Sequence, residues 1–214
     1  MHAWIETILT LLVLTNLVVL GSSRVWSTIP IVAAQGVLLG ILTLVARAGD
    51  LTAEVLLLAG GTMIVKGLIF PALLYRATRD ADVRSPLEPY VGYTLSVGVG
   101  ILIVLCSLWL GSRLPLPQAQ LSPLVVPVAL ATILSGFFLI VSRRKALTQV
   151  LGYLVLENGI YAFGVAVLVQ VPFSVELGIL LDLIVAVLVM GVALFDINRG
   201  FDHIDTAMLS TLKE

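Results

Sequence analysis

Apolar residues run along this chain in seven blocks, divided by short connections rich in polar residues, glycine or proline. They cover approximately Trp4–Leu20, Ile29–Val45, Ala53–Tyr75, Tyr90–Leu110, Leu121–Val141, Leu147–Val169 and Val175–Phe195. Each approaches the ~20 residues an α-helix needs to cross a ~30 Å hydrocarbon layer. Backbone amides in lipid must be satisfied inside the protein, and the blocks lack the ~10-residue alternation of barrel strands. The pattern predicts an all-α, polytopic membrane protein with about seven transmembrane helices. A single membrane domain is expected over 1–214. It groups into helices over 1–75, a connector helix over 90–110, three helices over 121–195 and a polar tail over 196–214.

Composition agrees. With 59% hydrophobic and 12% charged residues, the chain carries more apolar surface than a soluble core can bury. The net charge of −1 and the lack of a basic patch point away from nucleic acid. One cysteine, Cys106, excludes a disulfide within the chain, and its apolar surroundings mark it as a packing or lipid-facing residue. The two histidines, His2 and His203, stand at opposite ends, so no intramembrane pair holds a haem, and no cysteine cluster offers an iron–sulfur site. No cofactor and no metal site are expected. The first block lacks a basic leader and carries Glu6, so it is expected to be a retained helix.

Basic residues orient the expected helices. Only Arg47 and Arg113 fall on the side of the N-terminus, whereas nine lie on the other: Arg24, Arg76, Arg79, Arg84, Arg143, Arg144, Lys145, Arg199 and Lys213. The positive-inside rule places the N-terminus outside and the C-terminus in the cytoplasm.

Against this apolar background the intramembrane polar residues carry the information. A charged side chain at the membrane centre costs roughly 2.5–3.5 kcal/mol on insertion scales. Lys66, Glu157 and Asp182 each carry that cost. Counted at 1.5 Å per residue from the outer helix ends, Lys66 and Glu157 lie roughly 20 Å deep and Asp182 roughly 10 Å. The three can form one band if their helices pack together. Pro71 follows Lys66 by five residues and permits a kink that admits water beside the lysine. Asn158 can orient the carboxylate of Glu157 or bond to another helix, and Gln35 is a further buried polar candidate. Glu176, like Glu54, stands where an acid complements the N-terminal dipole of a helix. Gly36 and Gly40 mark a close helix approach. Such a constellation either moves protons, by loading and unloading a buried carboxylate, or only locks helices together.

An offset of 122 residues pairs Glu54 with Glu176 and Gln35 with Glu157. It lays the first three blocks on the last three, as a parallel three-helix repeat joined by the fourth. Lys66 then meets Leu188, so one copy carries the cation and the other the acids.

At these residues the chain resembles the component E membrane subunit of hydrogenase-4 and of related formate hydrogenlyase complexes. The resemblance rests on GYLVLENG at Gly152–Gly159, VELGILLDLIVAVLVM at Val175–Met190, KGLIFP at Lys66–Pro71 and LSTLKE in the tail, and covers nearly the whole chain. The last three blocks are also similar to the small three-helix subunit K of respiratory complex I and to its counterpart in multisubunit sodium/proton antiporters. That subunit's second glutamate aligns with Asp182. Its first falls at Leu154, almost one turn before Glu157, on nearly the same helix face.

The resemblance implies a subunit of an oxidoreductase complex without an active site of its own, in the cytoplasmic membrane of a prokaryote. Its partners would be antiporter-like membrane subunits, a cytoplasmic arm bearing iron–sulfur and metal-centre subunits, and membrane lipids. Lys66, Glu157 and Asp182 would belong to a proton path coupled to the redox chemistry, supported by Gln35, Asn158, Glu176 and Pro71. The alternatives are a small subunit of a cation/proton antiporter and a purely structural scaffold. A self-contained transporter lacks its expected inverted repeat, broken helices and substrate cluster.

Overall fold

The computed structural model describes residues 2–49, 51–80, 90–114, 122–143 and 146–167. Its helices are α1 (His2–Gly21), α2 (Val25–Ala46), α3 (Ala53–Ile64), α4 (Phe70–Asp80), α5 (Tyr93–Gly111), α6 (Val125–Ser142) and α7 (Ala146–Val167). Helices α3 and α4 are one continuous rod interrupted by the wide turn Val65–Ile69. Five spans among the described residues are long and apolar enough to cross a membrane: α1, α2, Ala53–Arg76, α5 and α6. That is fewer than the seven expected. Helix α7 coincides with the sixth expected block. The seventh, with Glu176 and Asp182, lies outside the described residues.

Local chemistry explains the ends. Thr52 caps α3, its hydroxyl accepting from the Val55 amide at 3.4 Å, and Glu54 occupies the first turn, where the helix dipole favours an acid. Inside the third span, the Phe70 amide bonds the Val65 carbonyl, five residues back instead of four. Pro71 has no N–H to continue the regular ladder, so the carbonyl it would have bonded is left without a helical donor. The kink expected at Pro71 therefore takes the form of a widened turn just before it, and Lys66 sits on that turn.

Helices α6 and α7 form the tightest pair, brought together by Gly136, Gly152 and Gly159. Helix α2 lies against the wide turn in the same way: a side chain at Gly36 would strike Lys66, and one at Gly40 would strike Met63. The close approach expected of these two glycines is what the fold uses. By contrast, α5 buries only Ser96, Gly100 and Ser107 and leaves Leu95, Ile101, Leu102, Leu105 and Trp109 exposed. Cys106 is exposed on the same helix. These residues form a lipid- or partner-facing flank.

The apolar interior is split in two. One cluster gathers Ile5, Leu9 and Leu12 of α1, Leu39 and Leu42 of α2, Val125 and Ala129 of α6, and Ala162 of α7. The other gathers Val19 and Leu20, Ile29 and Val32, Phe70 and Leu74, Leu139, and Leu151 to Val155. On each helix that contributes to both clusters, α1, α2, α6 and α7, the break between them holds a buried polar residue: Asn16, Gln35, Thr132, and Glu157 with Asn158. A buried polar layer thus crosses the bundle between two apolar slabs.

Arg143 closes the far end. Counted in the sequence among the basic residues of the inner side, it is only 1% exposed. It donates through Nη2 to the Leu20 carbonyl at 2.7 Å and lies 5.0 Å from the centre of the Tyr93 ring. One side chain thereby ties the ends of α1 and α6 to the start of α5, and burial lowers its hold on the proton relative to an ordinary arginine.

Candidate functional site

The polar layer centres on an ion pair. Lys66 on the wide turn and Glu157 on α7 are 4% and 8% exposed, and the lysine ammonium donates to Glu157 Oε1. The pair joins residues 91 apart in sequence. It is the juxtaposition that equal depth in two separate blocks anticipated. Lys66 also donates to Asn158 Oδ1 at 3.2 Å, and Nζ stands 4.7 Å from the centre of the Tyr161 ring, close enough for a cation–π contact. Two oxygens thus accept from the ammonium, and the ring face is its third close neighbour.

From Asn158 the hydrogen bonds continue sideways through the bundle. Asn158 Nδ2 donates to Gln35 Oε1 at 3.3 Å, and Gln35 Nε2 donates to Asn16 Oδ1 at 2.8 Å and to Thr15 Oγ1 at 3.0 Å. Asn16 Nδ2 donates to Thr132 Oγ1 at 2.8 Å, and the Thr132 hydroxyl gives its proton to the Val128 carbonyl at 2.8 Å. Helices α1, α2, α6 and α7 and the wide turn are thus held in one register. A second branch lies above Lys66, where the Tyr161 hydroxyl meets Thr43 at 3.0 Å and accepts from Thr62 at 3.2 Å.

One atom stands apart from this satisfaction. Glu157 Oε2 is buried and makes no hydrogen bond with the described residues. Glu157, with Lys66 and Asn158, also lines a small cavity whose other walls include Ile29, Val32, Phe70, Pro71, Leu74 and Leu154, with about 10 Å³ of room for water. That is at the lower bound of the ~10–15 Å³ a cavity needs to hold one water molecule. Pro71 and Lys66 both line this cavity.

Of the residues singled out in the sequence, Lys66, Glu157, Asn158, Gln35 and Pro71 converge here. Asp182 and Glu176 lie outside the described residues. Asn16, Thr132 and Tyr161 were not singled out. Asn16 was nevertheless visible as the only asparagine in the first apolar block, whereas a threonine or tyrosine in lipid gives no such signal. Replacing Asn16 with Leu should cost about 1–3 kcal/mol, because Gln35 and Thr132 would each lose a buried partner. Unfolding in mixed micelles, compared with Thr15→Val at the part-buried branch, measures it.

Comparison with known proteins gives two kinds of relative. The chain is 29% identical to the uncharacterized protein Rv0085 of Mycobacterium tuberculosis over 95% of this chain and 93% of that protein. It is 31% identical to hydrogenase-4 component E of Escherichia coli K12, and equally to that of Shigella flexneri, over 75% of this chain and 74% of each relative. No family model and no solved structure matches the chain.

Proposed function

From the chain's membership of the hydrogenase-4 component E family, we propose that it is a non-catalytic membrane subunit of a complex-I-like hydrogenase or respiratory complex. In this reading it spans the cytoplasmic membrane of a prokaryote with its basic face inward. It contributes Lys66 and Glu157 to a proton path that couples redox chemistry elsewhere in the complex to ion movement, with Asp182 as the next carboxylate. Its partners are antiporter-like membrane subunits and a cytoplasmic arm carrying iron–sulfur and metal centres.

The observation that carries this reading is the buried carboxylate with one oxygen held by Lys66 and the other without a hydrogen bond among the described residues, on a side chain that lines a small cavity. A pair that served packing alone would gain from satisfying both oxygens, since an unpaired buried acceptor is costly. A proton carrier needs one oxygen that can bind and release.

Glu157→Gln tests it. Glutamine keeps an acceptor for Lys66 and cannot hold a proton for transfer. In the assembled complex in vesicles, with formate or reduced ferredoxin as donor, the expected result is normal assembly with proton translocation at vesicle background. Undiminished translocation in an intact complex would sink the relay. Loss of assembly would favour the scaffold, in which the pair only locks α7 to the wide turn.

A further inference from the structure

We propose that Asn158, Gln35 and Asn16 form a one-way amide ladder that holds Lys66 as a fixed cation, leaving Glu157 Oε2, reached from the Pro71 side, as the atom that exchanges protons. This deepens the proton-path reading above and rests on it for its role in the complex.

The direction of the ladder is set at both ends. An ammonium can only donate, so Asn158 must turn its oxygen to Lys66 and its amide nitrogen to Gln35 Oε1. Gln35 must then turn its nitrogen to Asn16 and Thr15, and Asn16 its nitrogen to Thr132. At the far end Thr132 and Thr15 spend their hydroxyl protons on the Val128 and Leu12 carbonyls, so each can only accept from the amides. Every carbonyl in the series therefore points toward Lys66. Aligned dipoles in a low-dielectric layer reinforce one another and favour positive charge at the end they face. A neutral amine at Lys66 would need a donor for its lone pair, and its three neighbours, Oε1, Oδ1 and the Tyr161 ring face, are all acceptors.

Carboxamides do not give up a proton under ordinary conditions, so the ladder insulates in that direction. The exchange left to the site is at Glu157. A proton arriving from water bonds to Oε2 and converts carboxylate to carboxyl. Its release breaks the same O–H bond, and Oε1 keeps the Lys66 hydrogen bond throughout. The cavity that Glu157 lines lies among residues that precede Gln35 on α2, follow Lys66 on α4 and precede Glu157 on α7. These are the helix ends that carry Arg24, Arg76 and the α6–α7 turn at Arg143. The cavity thus lies on the side of the ion pair that faces the basic helix ends. Asn158, Gln35 and Asn16 are positioning residues, acting through the charge of Lys66.

The chain has three lysines, so Lys145→Arg and Lys213→Arg leave Lys66 as the sole source of a side-chain amine signal. With the full chain in lipid bilayers, labelled with ¹⁵N at lysine Nζ, solid-state NMR at neutral pH should show an ammonium resonance. Asn158→Leu should shift part or all of that signal to the neutral-amine position, and Asn158→Thr, which retains an oxygen acceptor, should restore it. An amine signal in the parent chain, or an unchanged ammonium signal in Asn158→Leu, would overturn the ladder. Should Asn158→Leu fail to fold, Gln35→Leu makes the same comparison one step away.

A second arm reads the direction of exchange. The rate at which Glu157 gains a proton after a drop in pH, followed by the carboxyl stretch in infrared difference spectroscopy, should fall when Val32→Phe fills the cavity. Slowing by Thr132→Val instead would mean that protons run along the ladder, against the proposal. An ammonium signal that responds as expected, in a subunit whose Glu157→Gln variant pumps normally, would keep the ladder and discard the relay role.

Discussion

Lys66→Met should destabilise the folded subunit by about 3–5 kcal/mol, the usual cost of stranding one member of a buried ion pair. Lys66 is the sole hydrogen-bond partner of the Glu157 carboxylate among the described residues, so its loss leaves the acid uncompensated between two apolar slabs. The reverse change is milder. In Glu157→Leu the ammonium keeps Asn158 Oδ1 and the face of Tyr161. The expected order of stability, measured by unfolding in mixed micelles, is therefore parent, then Glu157→Leu, then Lys66→Met. Combining Lys66→Met with Glu157→Leu should recover most of the loss, because replacing both members of a buried pair with apolar groups is often neutral. A single-variant loss below about 1 kcal/mol for Lys66→Met would show that Glu157 gains a proton in place of its partner and settles as a neutral acid. It would remove the argument that the pair is held as two charges.

Gly159→Leu should be about as damaging, for a reason unconnected with charge. Added side-chain atoms at Gly159 would run into the Ile133 and Ala129 backbone of α6, and those at Gly136 into the Leu156 backbone of α7. Backbone cannot swing aside as a flexible side chain does, so the two helices must separate. The expected loss is at or above the upper end of the ~1–3 kcal/mol typical of overpacking. Separation would also carry Glu157 and Asn158, the neighbours of Leu156 and Gly159, away from Lys66. Complex assembly and the Lys66 ammonium signal should both fail. Gly98→Ala and Gly60→Ala are the controls, since nothing stands within 4 Å of a methyl group at either position. Both should stay within about 0.5 kcal/mol of the parent. Equal tolerance at Gly159 would mean that α6 and α7 are not held together by close backbone approach.

The two predictions separate what holds the site from what the site does. Small residues set the distance between α6 and α7, in keeping with membrane bundles, where lipid is as apolar as leucine and packing must come from close fit. The polar ladder then sets the register. Proton exchange, in the reading proposed here, uses the one oxygen that neither device holds.

Much of the site was legible beforehand because polar groups in a membrane are expensive and therefore conspicuous. Lys66 and Glu157 could be paired by depth alone; Asn158 stood out beside Glu157, Pro71 as a kink near Lys66, and Gln35 as a costly polar residue whose place beside the pair only the fold showed. The helical nature and approximate bounds of the described spans followed from block length and the demand of lipid for internal backbone bonding. Which face of each span turns inward was not legible. These helices are apolar all round, so no amphipathic stripe separates residues facing lipid from residues facing other helices. Only the packed structure decided that Asn16, Thr132 and Tyr161 join the polar layer, that Arg143 leaves its loop to bridge α1 and α5, and that α5 stands at the edge. The wide turn at Val65–Ile69 belongs to the same class. It arises where Pro71 withholds a donor and Gly36 lets α2 press against Lys66, a balance between helices that one segment's sequence does not contain.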